Sequence, residues 1–188
     1  MARYSIQSIN QVEENRDTYA TEPVTVAELK TYLQLEGTAY DGPLEVFITA
    51  ARQMIENYCN VSLVPKEIWA QIRNQSDRAF PLPFSPIESV EAVLFKRCQS
   101  ATEDLVLDEE YFINNEYSKQ TEITSTKVCN PKQFFMIHYY TVADERAVFQ
   151  QAIKAQAGYM FNNRDSDKET TMAPETKALI QAFKINYF

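Results

Sequence analysis

The stretch "VAELKTYLQLEGTAYDGPLEVFITAARQMIENYCNVSL" (Val26–Leu63) decides the fold class, because it carries two helical patterns in succession. Thr25 precedes the first pattern and is followed three residues later by Glu28, which is the spacing of a capping box. Apolar residues then recur on one helical face. The sequence therefore predicts a short helix from about Val26 to Leu35.

The second pattern follows the loop "EGTAYDGP". Asp41 can cap a helix there, and Pro43 is tolerated in a first helical turn, so a longer helix is predicted from about Pro43 to Tyr58. Asn60 can end this helix in a left-handed turn. The apolar positions at helical spacing are Leu44, Phe47, Ile48, Ala51, Ile55 and Tyr58. One face of the helix is thus expected in a core.

The pattern changes in the middle of the chain. "KEIWAQIRN" (66–74) alternates around Ile68, Ala70 and Ile72, as half-buried strands do. "FPLPFSPIESV" (80–90) holds three prolines within six positions, which predicts a rigid extended connection. Further strands are predicted in the runs "VEAVLFK", "EYFINN", "TEITST" and "FFMIHYYT". Together, these runs predict a small antiparallel sheet.

Helical spacing returns near the C-terminal side. Asp144 can cap a helix that runs to about Asn162, and Pro174 opens a final one. The final helix is expected to place Leu179, Ile180, Phe183 and Tyr187 on one face. The prediction is an α+β fold, with a helical body of residues 1–65 and 143–188 and a β-rich lobe of residues 66–142.

Composition excludes several classes of function. The 188 residues carry a net charge of −8, so a phosphate backbone is repelled by the average surface, and a DNA-gripping module is disfavoured. No apolar run approaches the roughly 20 residues that span a bilayer, and the first residues lack the apolar core of a signal peptide. The phosphate-binding glycine motifs are missing, so no cofactor is predicted. Cys59, Cys98 and Cys129 are widely spaced and are interpreted as reduced thiols.

Candidate catalytic groups are few. His138 lies in a β-like run and is interpreted as a half-buried sheet residue. A Cys129–His138 pair is conceivable, but nothing in the sequence supplies an oxyanion hole or an orienting third group. Five of the eight residues from 103 to 110 are acidic, which is typical of a solvated hairpin tip. No catalytic or metal-binding residue is predicted, and a small hydrolase using Cys129 with His138 or these carboxylates remains the alternative from another class.

The predicted helix between 144 and 162 has two apolar stripes, one with Val148, Ala152, Ala155 and Tyr159, and one with Phe149, Ile153 and Met160. Two apolar faces imply two packing partners, within one chain or in a neighbouring copy. Arg164 follows this helix and either caps its negative end or forms a salt bridge to another protomer. The hypothesis is that Arg164, Phe149, Ile153 and Met160 lie between subunits.

Three stretches resemble the head-tail connector, or adaptor, family of long-tailed bacteriophages. They are the opening stretch with its Ile-Glu-aromatic helix end, "FPLPFSPIESVEAVLF" (80–95) leading into a strand, and "AIKAQAGYMFNNRD" (152–165), which closes on an aromatic residue, Asn, Arg and an acid. Their order and spacing also match that family. The β-rich middle is larger than in the smallest all-helical members.

The resemblance implies a structural, non-enzymatic protein of the virion neck, made in the host cytoplasm. It would form a dodecameric ring that binds the portal protein, extends the channel for double-stranded DNA without reading its sequence, and receives a head-closure or tail-completion protein. The C-terminal segment commonly engages the portal in that family, which implies partner-binding roles for Leu179, Ile180, Phe183, Lys184, Tyr187 and Phe188. A stopper or a tail-completion protein is the nearest alternative.

Overall fold

The computed structural model describes residues 4–13, 21–74, 79–97, 102–105, 110–114, 121–127, 129, 133–164 and 171–185. Its helices are α1 (Val26–Leu33), α2 (Asp41–Cys59), α3 (Ala147–Asn162) and α4 (Pro174–Ile180), and a 3-10 turn, Gln181–Phe183, continues from α4. Its strands are β1 (Tyr4–Glu13), β2 (Lys66–Asn74), β3 (Phe80–Pro81), β4 (Ile87–Arg97), β5 (Thr102–Asp104), β6 (Tyr111–Asn114), β7 (Glu122–Ser125) and β8 (Gln133–Thr141). The α+β prediction is confirmed.

Internal contacts divide the described residues into two units. The helical unit lies within Thr21–Val64 and Asp144–Ile185 and contains the four helices. The sheet unit lies within the remaining ranges and contains all the described strands. Strand β1 belongs to the sheet unit, although residues 1–65 were predicted to belong to the helical body.

The sheet unit holds a five-stranded antiparallel sheet in the order β1-β2-β8-β4-β5 and a three-stranded sheet in the order β3-β7-β6. Strand β8 alternates strictly between buried and half-buried residues, because successive side chains of a strand point to opposite faces. Phe135 on β8 stacks on Phe80 of β3, with ring centroids 5.5 Å apart. The two sheets therefore share one apolar core.

The predicted connection is buried over residues 80–85, but it bends at Pro83 and Phe84 instead of staying extended. It contains β3, a cis peptide bond between Ser85 and Pro86, and Phe84 at φ 58°. The hydroxyl of Tyr139 on β8 donates to the carbonyl oxygen of Pro83 at 2.8 Å. This bond ties the connection to the centre of the larger sheet.

The acidic run at 103–110 differs from the predicted loop. Glu103 and Asp104 lie in β5, which pairs with β4, and Lys127 Nζ lies 2.9 Å from Glu110 Oε1. Asp108 and Glu109 lie outside the described residues. Part of the run is therefore strand, because backbone pairing with β4 outweighs the polarity of the side chains.

In the helical unit, α1 has the predicted capping box. The hydroxyl of Thr25 accepts from the Glu28 N–H at 3.2 Å, and the Glu28 carboxylate accepts from the Thr25 N–H at 2.8 Å. The N–H and the hydroxyl of Thr25 lower the pKa of Glu28 below its usual value, because they stabilise the carboxylate. Val24, Leu29, Ile48 and Phe149 contribute to the apolar core of this unit.

Two predicted caps were wrong. Helix α2 begins at Asp41 itself, whose carboxylate binds Lys30 Nζ at 2.8 Å and leaves the cap position to Tyr40. Helix α3 begins at Ala147, and Asp144, three residues earlier, accepts from Arg146 Nε at 2.8 Å. Both acids thus pair with a basic side chain instead of capping a helix.

Candidate interaction surfaces of the helical unit

A buried charge cluster sits at the centre of the helical unit. Arg52 is 1% exposed and binds Glu22 through Nε at 2.8 Å and Glu56 through Nη1 at 2.8 Å. Glu56 also accepts from the Leu63 N–H at 2.8 Å. The cluster fastens the segment before α1 and the loop after α2 to the middle of α2. Its charges are paired with each other, which is an arrangement typical of structural ion pairs.

The end of α2 holds the chain after α4. Asn60 is in the left-handed conformation, at φ 56° and ψ 42°, as predicted. The Ile185 N–H donates to the Cys59 carbonyl oxygen at 3.0 Å, and Asn60 Nδ2 donates to the Ile185 carbonyl oxygen at 2.9 Å. Two consecutive residues thus satisfy both backbone groups of Ile185. We call this contact the Asn60 clamp.

Aromatic and cationic side chains surround the clamp. The Arg146 guanidinium contacts both Phe149 and Phe183, 4.9 and 4.6 Å from the centroids of two rings that lie edge to face 5.7 Å apart. Lys184 Nζ lies 4.8 Å from the centroid of the Tyr58 ring. Cation–π contacts of this kind favour fixed positions for long side chains. The segment up to Ile185 is thereby packed against the ends of α2 and α3.

The residues predicted to bind a portal are differently placed. Leu179 is 39% exposed and Lys184 is exposed, whereas Ile180 is fully buried and Phe183 is half-buried. Tyr187 and Phe188 lie outside the described residues. Among the described members of this set, Leu179 and Lys184 are the exposed ones, while Ile180 lies in the core of the helical unit and Phe183 packs against that core.

The residues predicted to lie between subunits are found in different environments. Phe149 and Ile153 fill the core of the chain's own helical unit. Met160 is half-buried, and Arg164 is exposed. Arg164 Nη1 donates to the Phe161 carbonyl oxygen at 2.8 Å, so it caps α3, which was one of the two readings open at the sequence level. Arg164 and Met160 remain candidates for a surface contact.

A Cys–His pair does not form. Cys129 is buried in the core of the sheet unit with Ile137 and Tyr139. His138 lies between those two residues on β8 and faces the opposite side of the sheet, stacked on Trp69 with centroids 4.1 Å apart. His138 Nε2 lies 2.9 Å from Glu67 Oε1. The described residues therefore hold no Cys129–His138 pair for the hydrolase alternative.

The thiol of Cys59 is poorly suited to nucleophilic chemistry. Burial raises the pKa of Cys59 to about 11, although Arg146 and Lys184 pull in the opposite direction. A buried thiol with a raised pKa is inert as a nucleophile. Cys59 Sγ lies 3.8 Å from the Ile180 carbonyl oxygen and contributes to packing.

In the described part of the chain, no three His, Cys, Asp or Glu side chains are grouped so that they could hold a metal ion. Among the same residues, no helix combines the length and the apolar character that crossing a membrane demands.

Sequence reasoning missed several of these contacts. Arg52 and Glu56 are four residues apart on α2, and this spacing was a usable signal for their ion pair. Glu22 is 30 residues from Arg52, and Ile185 is 125 residues from Asn60. No local pattern connects residues that far apart.

Known proteins match the chain in two comparisons. The model of the family described as "Phage gp6-like head-tail connector protein" matches residues 23–125, which is more than half of the chain. This range includes two of the three stretches that carried the resemblance, and the stretch at 152–165 lies beyond it. No curated protein matches the chain significantly.

Solved structures resemble the whole chain. One is described as "Neck of empty GTA particle computed with C6 symmetry", with a TM-score of 0.70 at 17% identity, covering 95% of this chain and 95% of that chain. Another, "Virion of native gene transfer agent (GTA) particle", gives 0.68 at 18% identity, with 94% of both chains covered. At these identities the likeness shows a shared fold.

Proposed function

The chain belongs to the phage gp6-like head-tail connector protein family, and on this basis we propose that it is a structural adaptor in the neck of a tailed phage or a related particle. In this proposal, copies made in the host cytoplasm assemble as a dodecameric ring on the portal protein. The ring extends the DNA channel and offers a platform to a head-closure or tail-completion protein. The function is mechanical and needs no catalytic residue.

The observation that carries the proposal is the family match together with a fold likeness over nearly the whole chain to a protein of a particle neck. A similar chain comes from a neck computed with C12 symmetry, with a TM-score of 0.66 at 16% identity. Rings of six-fold or twelve-fold symmetry around a channel are the arrangement that we extend to this chain. The connector description favours an adaptor over a stopper or a tail-completion protein.

The charge of the chain suits a channel wall. The net charge is −8, and an acidic wall repels a phosphate backbone instead of holding it. Double-stranded DNA can then pass without sequence-specific binding. A basic wall would bind the DNA and slow its exit.

For the portal contact we propose the exposed surface of α4 and the turn that follows it, with Leu179 and Lys184 at its centre. Ile180 and Phe183 fix this surface to the helical core, and the Asn60 clamp fixes the chain after it. Tyr187 and Phe188 follow directly in the sequence and complete the proposed contact.

The test is assembly on isolated portals. Purified chain is mixed with portal rings, and the complexes are imaged by cryo-electron microscopy at several salt concentrations. An added ring on one end of the portal is expected. Portals that stay bare at every salt concentration would contradict the proposal. A monomer in the absence of portals would not, since such a ring can require its template to close.

A further inference from the structure

We infer that Tyr32, Tyr40 and Arg164 form a surface, here called the Arg164 surface, that binds a carboxylate-bearing face of a second copy of this chain. The inference rests on the proposed ring and names a contact between its subunits. It starts from the C-terminal half of α3, which Tyr32 approaches from α1 and Tyr40 approaches from the residue before α2.

Tyr32 and Tyr40 lie beside neighbouring positions of α3. A Cβ atom at Gly158 would lie 3.5 Å from Tyr32 Cε1 and 3.0 Å from Leu33 Cδ2, so α1 approaches α3 closely at this glycine. The Tyr40 ring meets Phe161 edge-on, with centroids 5.4 Å apart. Gly158 and Phe161 are three residues apart and therefore neighbours on the helix. Both tyrosines thus flank the last turns of α3.

The surface is unusually apolar for the exterior of this unit. Tyr32 is 46% exposed and Tyr40 is 43% exposed. Among the described residues of the helical unit, the large apolar side chains with this degree of exposure are Tyr32, Tyr40, Val46 and Leu179. Two of these four lie at the Arg164 surface. Tyrosine and arginine are enriched in protein interfaces and in the residues that dominate binding energy there.

The guanidinium of Arg164 is fixed in position by contacts within its own chain. Its Nη1 donates to the Phe161 carbonyl oxygen, and its guanidinium lies 4.5 Å from the Phe161 centroid and 5.8 Å from the Tyr40 centroid. These contacts fix the plane of the group, which lowers the entropy lost when it binds. Among the described residues, no carboxylate lies within ion-pair distance of it. A guanidinium with further N–H donors matches a carboxylate in a bidentate geometry.

Charge identifies the partner. The chain carries 26 acidic against 18 basic residues, so a second copy offers more carboxylates than cations to an arginine. In the helical unit, Glu36, Glu45, Glu145 and Glu175 are exposed. DNA is a poor candidate at this position, because a single arginine offers little positive charge. A contact between different patches of identical chains is also the kind that closes a ring.

The first experiment locates the partner. A photo-crosslinking phenylalanine derivative replaces Tyr40 in the full chain, and rings assembled on portals are irradiated. The expected product joins two copies of the chain, with the crosslink on a peptide that contains Asp or Glu. The same derivative at Phe112, an exposed aromatic of the sheet unit, is the comparison position. A crosslink from position 40 to the portal, or none within an intact ring, overturns the inference.

The second experiment tests the charge. Arg164→Glu is expected to raise the protein concentration needed for ring closure by about tenfold or more, and Arg164→Lys by less, because Lys keeps the charge but loses the planar fork. Gln53→Glu adds a negative charge at an exposed site on α2, outside the proposed portal contact, and is expected to leave ring closure unchanged. Thermal unfolding of each variant separates an assembly defect from loss of the α3 cap. If Arg164→Glu folds poorly, the concentration needed for ring closure is compared between Arg164→Lys and wild type instead.

Asp165 and Asp167 could engage Arg164 within its own chain. If Asp165→Asn with Asp167→Asn reproduces the defect of Arg164→Glu, the partner is intramolecular and the inference fails. It fails equally if Arg164→Glu closes rings at the wild-type concentration. Portals that stay bare with wild-type protein would count against the proposed function instead, so the two failures are distinguishable.

Discussion

Arg52 Nη1 donates a hydrogen bond to Glu56 Oε2 at 2.8 Å, and both side chains are 1% exposed. Glu22 completes the cluster on the other side of Arg52. A charge is stable in such a position only while its partners remain, because water cannot solvate it there. Arg52 and Glu56 therefore stabilise the helical unit only together, and removing either one alone destabilises it.

We expect Arg52→Met to lower the free energy of unfolding of the helical unit by about 3–5 kcal/mol, since it leaves Glu56 buried without its cation. Urea unfolding followed by circular dichroism at a helical wavelength measures this change. Adding Glu56→Gln should restore part of the loss. Lys30→Ala is the matched control, because its pair with Asp41 is partly exposed and is worth about 1 kcal/mol or less. Equal losses in Arg52→Met and Lys30→Ala would contradict the prediction.

The Asn60 clamp predicts that glycine cannot fully replace Asn60. Asn60→Gly keeps the left-handed backbone but removes the Nδ2 donor to Ile185, so we expect a loss of about 0.5–1.5 kcal/mol. Hydrogen exchange at the Ile185 amide should become faster, because the segment after α4 opens more readily. Asn163→Gly, at the end of α3, serves as the control for a generic asparagine change. Unaltered protection of Ile185 in Asn60→Gly would refute the clamp.

Two truncations separate docking from folding. Ending the chain after Pro174 removes Thr176 and the fully buried Ile180, so we expect the helical unit to lose its cooperative unfolding transition. Ending it after Ile185 keeps this core and removes only residues 186–188. The chain that ends after Ile185 is expected to fold and to bind portals at least tenfold more weakly than wild type, because it lacks Tyr187 and Phe188. Undiminished binding in a sedimentation assay would argue against a role for those residues.

Much of the architecture follows from local pattern. The capping box at Thr25, the apolar stripe of α2 and the left-handed Asn60 are properties of short windows, and the structure confirms each of them. Strand β1 was missed because Ile6, Ile9 and Val12 recur every third residue, whereas a strand needs a period of two. Its pairing with β2, shifted near Ser8, forms the strand. Tertiary pairing, and not the local apolar pattern, therefore makes this segment a strand.

The surfaces were harder to predict than the elements. Phe149 and Ile153 carried the apolar signature expected of an interface, yet their side chains lie in the core of their own unit. A stripe on a helix shows that something covers it and does not identify what does. The cap residues Asp41 and Asp144 illustrate the same limit, since each has a basic partner that the cap rule ignores.

Cys59 supplies a prediction about reactivity and pH. With a pKa of about 11, Cys59 is almost entirely protonated at pH 8, so alkylation by iodoacetamide should be far slower in the folded chain than in urea. A variant with Cys98 and Cys129 replaced by Ser isolates this thiol, and mass spectrometry follows its modification.

In the unfolded chain the thiol of Cys59 ionises near its ordinary pKa of 9.0, whereas in the folded chain it stays neutral at that pH. Its contribution to stability is therefore complete below pH 9 and is lost as the pH rises toward 11. Cys59→Ala in the same background should remove this part of the alkaline loss, and an identical pH profile for both proteins would contradict the assignment.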